Sequence, residues 1–142
     1  MTYFDSCYIA KFYLAEPDSP NVIAFVGRNG SIGCLALGQA VVAAVFHRKF
    51  REGFVDVDGF HLLCDQFEAD CASGLWQWRA VDDALLASVG RRFRALPATT
   101  FLRAADGMHL TCAADEGCVE IHTSDRHMIA AAPAFGLQAV TL

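Results

Sequence analysis

The sequence predicts an α/β sandwich on a central, mostly parallel sheet, and three observations lead there. Short strand-like apolar segments alternate with amphipathic helix-like ones along the chain. Strand, helix and strand in succession pair in parallel, with the crossover helices covering the sheet. Single carboxylates stand where a strand gives way to a helix, and in such sheets ligands gather outside the carboxyl ends of the strands. The 142 residues, 54% hydrophobic, suffice for one domain over 1–142 with a buried core.

Taken in order, "TYF" reads as a strand ending at Asp5 and residues 6–14 as a helix. A second helix follows "EPDSP" up to the turn "GRNGSIG", and "IGCL" is a short strand. "ALGQAVVAAVFHRKFREG" predicts a long helix, apolar to Phe46 and then basic, that closes at Gly53 as a helix-ending glycine does. Residues 55–73 and 82–95 are further amphipathic helices, with "LWQW" alternating at period two between them. After Pro97 comes a helix from about Leu102 to Glu116, ending at Gly117. The strand "VEIH", a helix from Arg126 to Phe135 and a last strand "QAVTL" complete the alternation.

Several function classes drop out. Nothing approaches the eighteen consecutive apolar residues of a membrane span, and no basic start with an apolar stretch and cleavage site appears, so a cytoplasmic protein is expected. The six cysteines form no C-x-x-C pair and read as reduced. No Ser or Cys has a base at a recognisable nucleophile spacing. "GRNGSIG" precedes a strand and is therefore a turn, not a phosphate cradle. Net charge of −5 argues against a general nucleic-acid coat. The basic ends at Arg48, Lys49, Arg91 and Arg92 are candidates for RNA contact, and they equally complement helix dipoles. His109 reads as a histidine bonded near the core, and Trp76 and Trp78 as same-face packing residues.

Three carboxylates remain. Asp5 and Asp125 each end a strand directly before a helix, and Asp106 lies in the first turns of a largely apolar helix. Each reads singly as a helix cap or dipole partner. Jointly they map to one rim. Carboxylates about 5 Å apart repel by about 3 kcal/mol per pair at an effective dielectric near 20, so a shared cluster calls for a cation or a proton. Oxygen ligands alone suit Mg²⁺ or Mn²⁺.

The segments "YFDSCYIAKFYLAEP", "AADGMHLTCAADEG" and "IHTSDRHMIAAAPAFGLQAV" resemble, in order and spacing, the acidic motifs of PIN-domain proteins, and most closely the VapC-type toxins. The likeness runs over the whole chain, with residues 54–100 matching in helical character alone. It implies a PIN-like three-layer sandwich and an endoribonuclease that holds Mg²⁺ or Mn²⁺ at Asp5, Asp106 and Asp125, with the hydroxyls of Ser6 and Thr123 beside the metal. It also implies a homodimer restrained by a small antitoxin protein. A mean hydropathy of +0.31 agrees with apolar surface covered by such contacts.

One departure stands out. The family carries a glutamate in the helix after the second strand, and both ways of counting to it arrive at Ala40, beside the neutral Gln39. No Asp or Glu occurs from residue 19 to residue 51, and Glu52 lies about 18 Å along the helix from Ala40. The alternative is therefore a PIN-like module that binds RNA or protein without cutting. Receiver domains also cluster acids at strand ends, but they carry an acidic pair after the first strand and a late lysine. This chain has Asp5 alone and only Lys11 and Lys49.

Overall fold

The computed structural model describes residues 1–142. Its strands are short and all run parallel: β1 (Ile32–Leu35) pairs with β2 (Trp76–Arg79), and β3 (Glu120–His122) with β4 (Gln138–Val140). Tyr3 and Phe4 join the two pairs by bridging to Gly33 on one side and His122 on the other. The order across the sheet is therefore β2, β1, the Tyr3–Phe4 segment, β3, β4. The expected first strand thus survives as two residues in the middle of the sheet. Both are aromatic and fully buried, a payload of about 2–3 kcal/mol each.

Side chains alternate across this sheet and divide the core in two. Tyr3, Leu35 and Ile121 face one cluster, which packs with Leu85, Leu110, Met128 and Phe135. Phe4, Ile32, Cys34 and Trp76 face the other, filled by Tyr8, Val22, Val42 and Phe46. Helices α1 (Ser6–Tyr13), α2 (Ser19–Asn29), α3 (Leu37–Arg51) and α4 (Val57–Ser73) supply the second cluster. Helices α5 (Asp83–Ala95), α6 (Ala104–Asp115) and α7 (Arg126–Ala131) supply the first. The result is a helix, sheet, helix sandwich.

The helix boundaries follow from local chemistry. Asp5, Asp56, Asp82 and Asp125 are N-caps whose carboxylates accept backbone N–H groups of the first turn. Gly53, at φ 78°, lies just past α3 in the left-handed region expected of it. Two expectations needed correction. The helix over 126–135 stops at Ala131 and tightens into a 3₁₀ turn, Ala132–Phe135, because Pro133 has no N–H for the preceding turn. Helix α6 begins at Ala104, since Arg103 is extended at φ −83° and ψ 160°. Trp76 is buried and its indole N–H donates to the Tyr13 hydroxyl at 2.7 Å, while Trp78 packs edge-on to Phe67, so both are packing residues. All six cysteines are free, and no helix is long and apolar enough to cross a membrane.

Helices α5 and α6 meet where the Phe93 ring rests on Gly107: a β-carbon there would lie 2.4 Å from Phe93 Cε2. Gly107→Ala should therefore destabilise the fold by about 1–3 kcal/mol through overpacking. Gly90→Ala, on α5 with open space around it, should stabilise by about 0.5–1 kcal/mol. Urea melts of the two variants check the pair, and a neutral Gly107→Ala would contradict this packing.

Candidate active site

The carboxyl ends of the parallel strands open on one rim, and the central segment delivers Asp5 to it directly. Asp5 is 2% exposed. Its Oδ1 accepts the Tyr8 N–H at 3.1 Å, and its Oδ2 accepts the Thr123 hydroxyl. Thr123, the residue after β3, in turn accepts the Asp125 N–H on Oγ1 at 3.0 Å. One hydroxyl therefore ties neighbouring strand ends together. Asp125 divides its two oxygens: Oδ1 accepts the N–H groups of His127 and Met128 at 2.8 and 3.0 Å, capping α7, and Oδ2 points to Arg103. The choice between cap and site residue is not exclusive, because a carboxylate has two oxygens with which to do both.

Arg103 joins the third acid to the second. Its Nε donates to Asp106 Oδ2 at 2.8 Å and its Nη2 to Asp125 Oδ2 at 3.2 Å. Arg103 is 62% exposed at the side chain and Asp106 13%. Asp106 and Asp125 thus converge on one cationic group. The Cys7 thiol reports on all three acids. Cys7 is an exposed residue, yet its sulfur is crowded by protein and pushed up to about 12, first by that desolvation and then by Asp5, with smaller repulsion from Asp125 and Asp106.

Below the rim lies a buried polar network. His109, on α6 one turn after Asp106, is hydrogen-bonded to Ser6 Oγ at 2.9 Å and to the Tyr3 hydroxyl at 3.3 Å. Ser6 therefore turns inward to His109, whereas Thr123 touches Asp5 directly. Burial lowers the His109 pKa to about 4. Burial likewise raises Asp5 to about 6, against the opposing hydrogen bonds from Thr123 and the backbone of Tyr8 and Cys7, with the Asp125 charge adding to the rise.

The remaining candidates lie elsewhere. Ala40 and Gln39 are both exposed on α3, whose buried face is Gly38, Val42 and Phe46. Helix α3 contributes no acid to the rim. Arg48 and Lys49 sit near its far end, roughly 17 Å from its start, where Lys49 pairs with Glu16. Arg91 and Arg92 line a cavity with Ser88 and Phe135, and Arg92 pairs with Asp115. None of these four cations is bonded to the three aspartates.

No group of three His, Cys, Asp or Glu side chains is gathered so as to hold a metal ion. The donor set is nonetheless of the right kind: hard carboxylate oxygens, two of them already sharing a cation, in Arg103. Sequence reasoning passed over Arg103, although an arginine three residues before a helical aspartate is a recognisable pairing signal.

No protein-family model matches the chain, and no curated protein matches it in sequence. Solved structures do. The FitAB complex bound to an IR36 DNA fragment superposes with a TM-score of 0.77 at 15% identity, covering 99% of this chain and 94% of the other. FitAcB from Neisseria gonorrhoeae gives 0.75 at 16% identity, covering 98% and 96%. VapBC2 from Rickettsia felis, bound to a fragment of its promoter, gives 0.69 at 13% identity, covering 100% and 99%. At these identities the likeness shows the fold, and that fold is the PIN-like sandwich.

Asp5 and His109 should impose opposite pH dependences on stability. The folded Asp5 pKa of about 6 exceeds the ordinary 3.8, so its contribution is complete below that value and lost as pH rises through 6. His109, lowered from 6.5 to about 4, contributes stability that is complete above 6.5 and lost as pH falls toward 4. Each amounts to about 3 kcal/mol, and between pH 4 and 6.5 they nearly cancel. Asp5→Asn should therefore lose stability on acidification from pH 7 to 4.5, and His109→Gln should gain it. Chemical denaturation at the two pH values checks this, and shifts of the same sign would contradict it.

Proposed function

We propose that this chain is a VapC- or FitB-type toxin of a toxin–antitoxin module, an endoribonuclease that uses Mg²⁺ or Mn²⁺ at Asp5, Asp106 and Asp125. The observation that carries the reading is the convergence of Asp106 and Asp125 on one cationic group, with Asp5 coupled to Asp125 through Thr123. Asp106 and Asp125 would present Oδ2 atoms to the ion, and Asp106 Oδ1, which accepts no hydrogen bond from the protein, is a further free donor. A divalent ion there supplies an activated water and charge neutralisation for a phosphodiester.

The chain's own groups prepare that chemistry. Thr123 holds Asp5 Oδ2 in place through its hydroxyl, and the cap of α7 fixes Asp125 so that a single oxygen faces outward. Buried and neutral, His109 supports Ser6 beside Asp5 without adding charge. Fold-level likeness to a solved toxin–antitoxin complex supports a small antitoxin as partner, and a homodimer is part of the same proposal. Exposed Phe54, Val57 and Leu62 supply apolar surface for such contacts.

A second reading, a PIN-like module that binds RNA or protein without cutting, is favoured by one observation: α3 brings no acid to the rim.

Calorimetry should show Mn²⁺ binding in the millimolar range or tighter, weakened about tenfold or more by Asp106→Asn. Purified protein should cleave RNA only with added Mg²⁺ or Mn²⁺. Identical titrations of wild type and variant would leave the carboxylates as caps and favour the binding module.

Ala40→Glu discriminates further. Because Ala40 is exposed, the substitution should cost only a few tenths of a kcal/mol, roughly the propensity difference. The face of α3 that meets Ser6, beside Asp5, is at Gly38, so Ala40→Glu and Gln39→Glu should leave Mn²⁺ binding and cleavage near wild type. A clear gain from either would show that α3 reaches the metal site through these positions.

A further inference from the structure

We infer that Arg103 is a built-in counter-cation that competes with the divalent ion for Asp106 and Asp125, so that metal loading requires its side chain to leave the rim. The inference rests on the metal-dependent reading above and concerns how that same site is regulated.

Atom by atom, the competition is direct. Asp125 has spent Oδ1 on the N–H groups of His127 and Met128, so Oδ2 is its outward oxygen. Arg103 Nη2 occupies it at 3.2 Å. The same guanidinium takes Asp106 Oδ2 through Nε at 2.8 Å. Each Asp5 oxygen accepts one hydrogen bond, from Tyr8 or Thr123, and Arg103 touches neither, so the competition is confined to Asp106 and Asp125. A metal ion bound by Asp106 and Asp125 would have to meet these oxygens with a fixed positive charge already on them.

Charge balance points the same way. Three ionised carboxylates carry −3 in the absence of an acid from α3, and one guanidinium reduces that to −2. A fourth acid would have left the cluster more negative and favoured a divalent ion more strongly over a monovalent one. With no acid supplied by α3, a single guanidinium is a more effective rival.

The arrangement is also reversible. Arg103 lies before the first turn of α6, in extended backbone, with its side chain 62% exposed. Swinging it into water breaks no core packing. Arginine suits the role because its planar fork places two different donors on two different carboxylates, which a lysine ammonium reproduces poorly.

The test is calorimetric titration of the full-length chain with Mn²⁺, comparing wild type, Arg103→Ala and Arg103→Lys at low ionic strength. Arg103→Ala should bind Mn²⁺ about tenfold tighter, a difference of about 1.4 kcal/mol, with Arg103→Lys between. The melting temperature without metal, near that of wild type, shows that the variants are folded. As a second readout, the Arg103 Nε–H signal in nitrogen-15 spectra, assigned by its loss in Arg103→Lys, should shift on adding Mg²⁺ with the midpoint of binding. Equal or weaker Mn²⁺ binding by Arg103→Ala, with wild type binding, overturns the competition and leaves the metal-dependent reading intact. Binding by neither protein overturns that reading and the inference with it.

Discussion

The fold depends on one constraint: the N-terminal segment must be the middle of the sheet. Tyr3 and Phe4 exchange backbone hydrogen bonds with both halves, Phe4 N–H to Gly33 and Gly33 N–H to Thr2 on one side, Asp5 N–H to His122 and His122 N–H to Tyr3 on the other. Without those bonds the two strand pairs have no common plane. Tyr3 then serves one core cluster and Phe4 the other. The next residue, Asp5, necessarily emerges at the carboxyl end of the sheet, beside the residues that follow β3. The position of the candidate site is thus a consequence of how the sheet closes.

That placement has an electrostatic cost which the surrounding residues offset. A carboxylate 2% exposed is penalised in its ionised form, and Thr123 and the first turn of α1 supply the hydrogen bonds that favour that form and hold the Asp5 pKa at about 6 instead of higher. His109, a turn beyond Asp106, is held neutral by the same burial. Two buried titratable groups thus have pKa values displaced in opposite directions, Asp5 bonded to Tyr8 and Thr123 and His109 bonded to Ser6 and Tyr3. Displaced values of this kind are common at functional sites, and structural networks produce them too. The arrangement of Asp106 and Asp125 around a cation therefore carries the functional argument.

Much of this was legible in the sequence because the signals are local. Cap residues, glycines after helices and the change of hydrophobic period located nearly every element, and Asp5, Asp106 and Asp125 stood out as charges at apolar boundaries. The histidine network and the Thr123 bridge were not, since they join residues 103 and 118 positions apart. Thr123 was legible only as a small hydroxyl near the site, and Ser6, read the same way, turns inward to His109. The role of Arg103 was hidden differently: its pairing with Asp106 is local, but its meaning needs Asp125, twenty-two residues on. Pro133 was visible and its effect underweighted, since a periodic apolar run continued through it.

On the function proposed above, Asp106 and Asp125 exchange the Arg103 guanidinium for a divalent ion at the rim. The most direct measurement is anomalous diffraction from wild-type crystals soaked in Mn²⁺ at near-neutral pH. A peak within ligand distance of Asp106 and Asp125, with the Arg103 side chain displaced from both, is the result the account predicts. Crystals that show Arg103 still bridging the two aspartates and no anomalous density at the rim, at a Mn²⁺ concentration that saturates calorimetric binding, would contradict it.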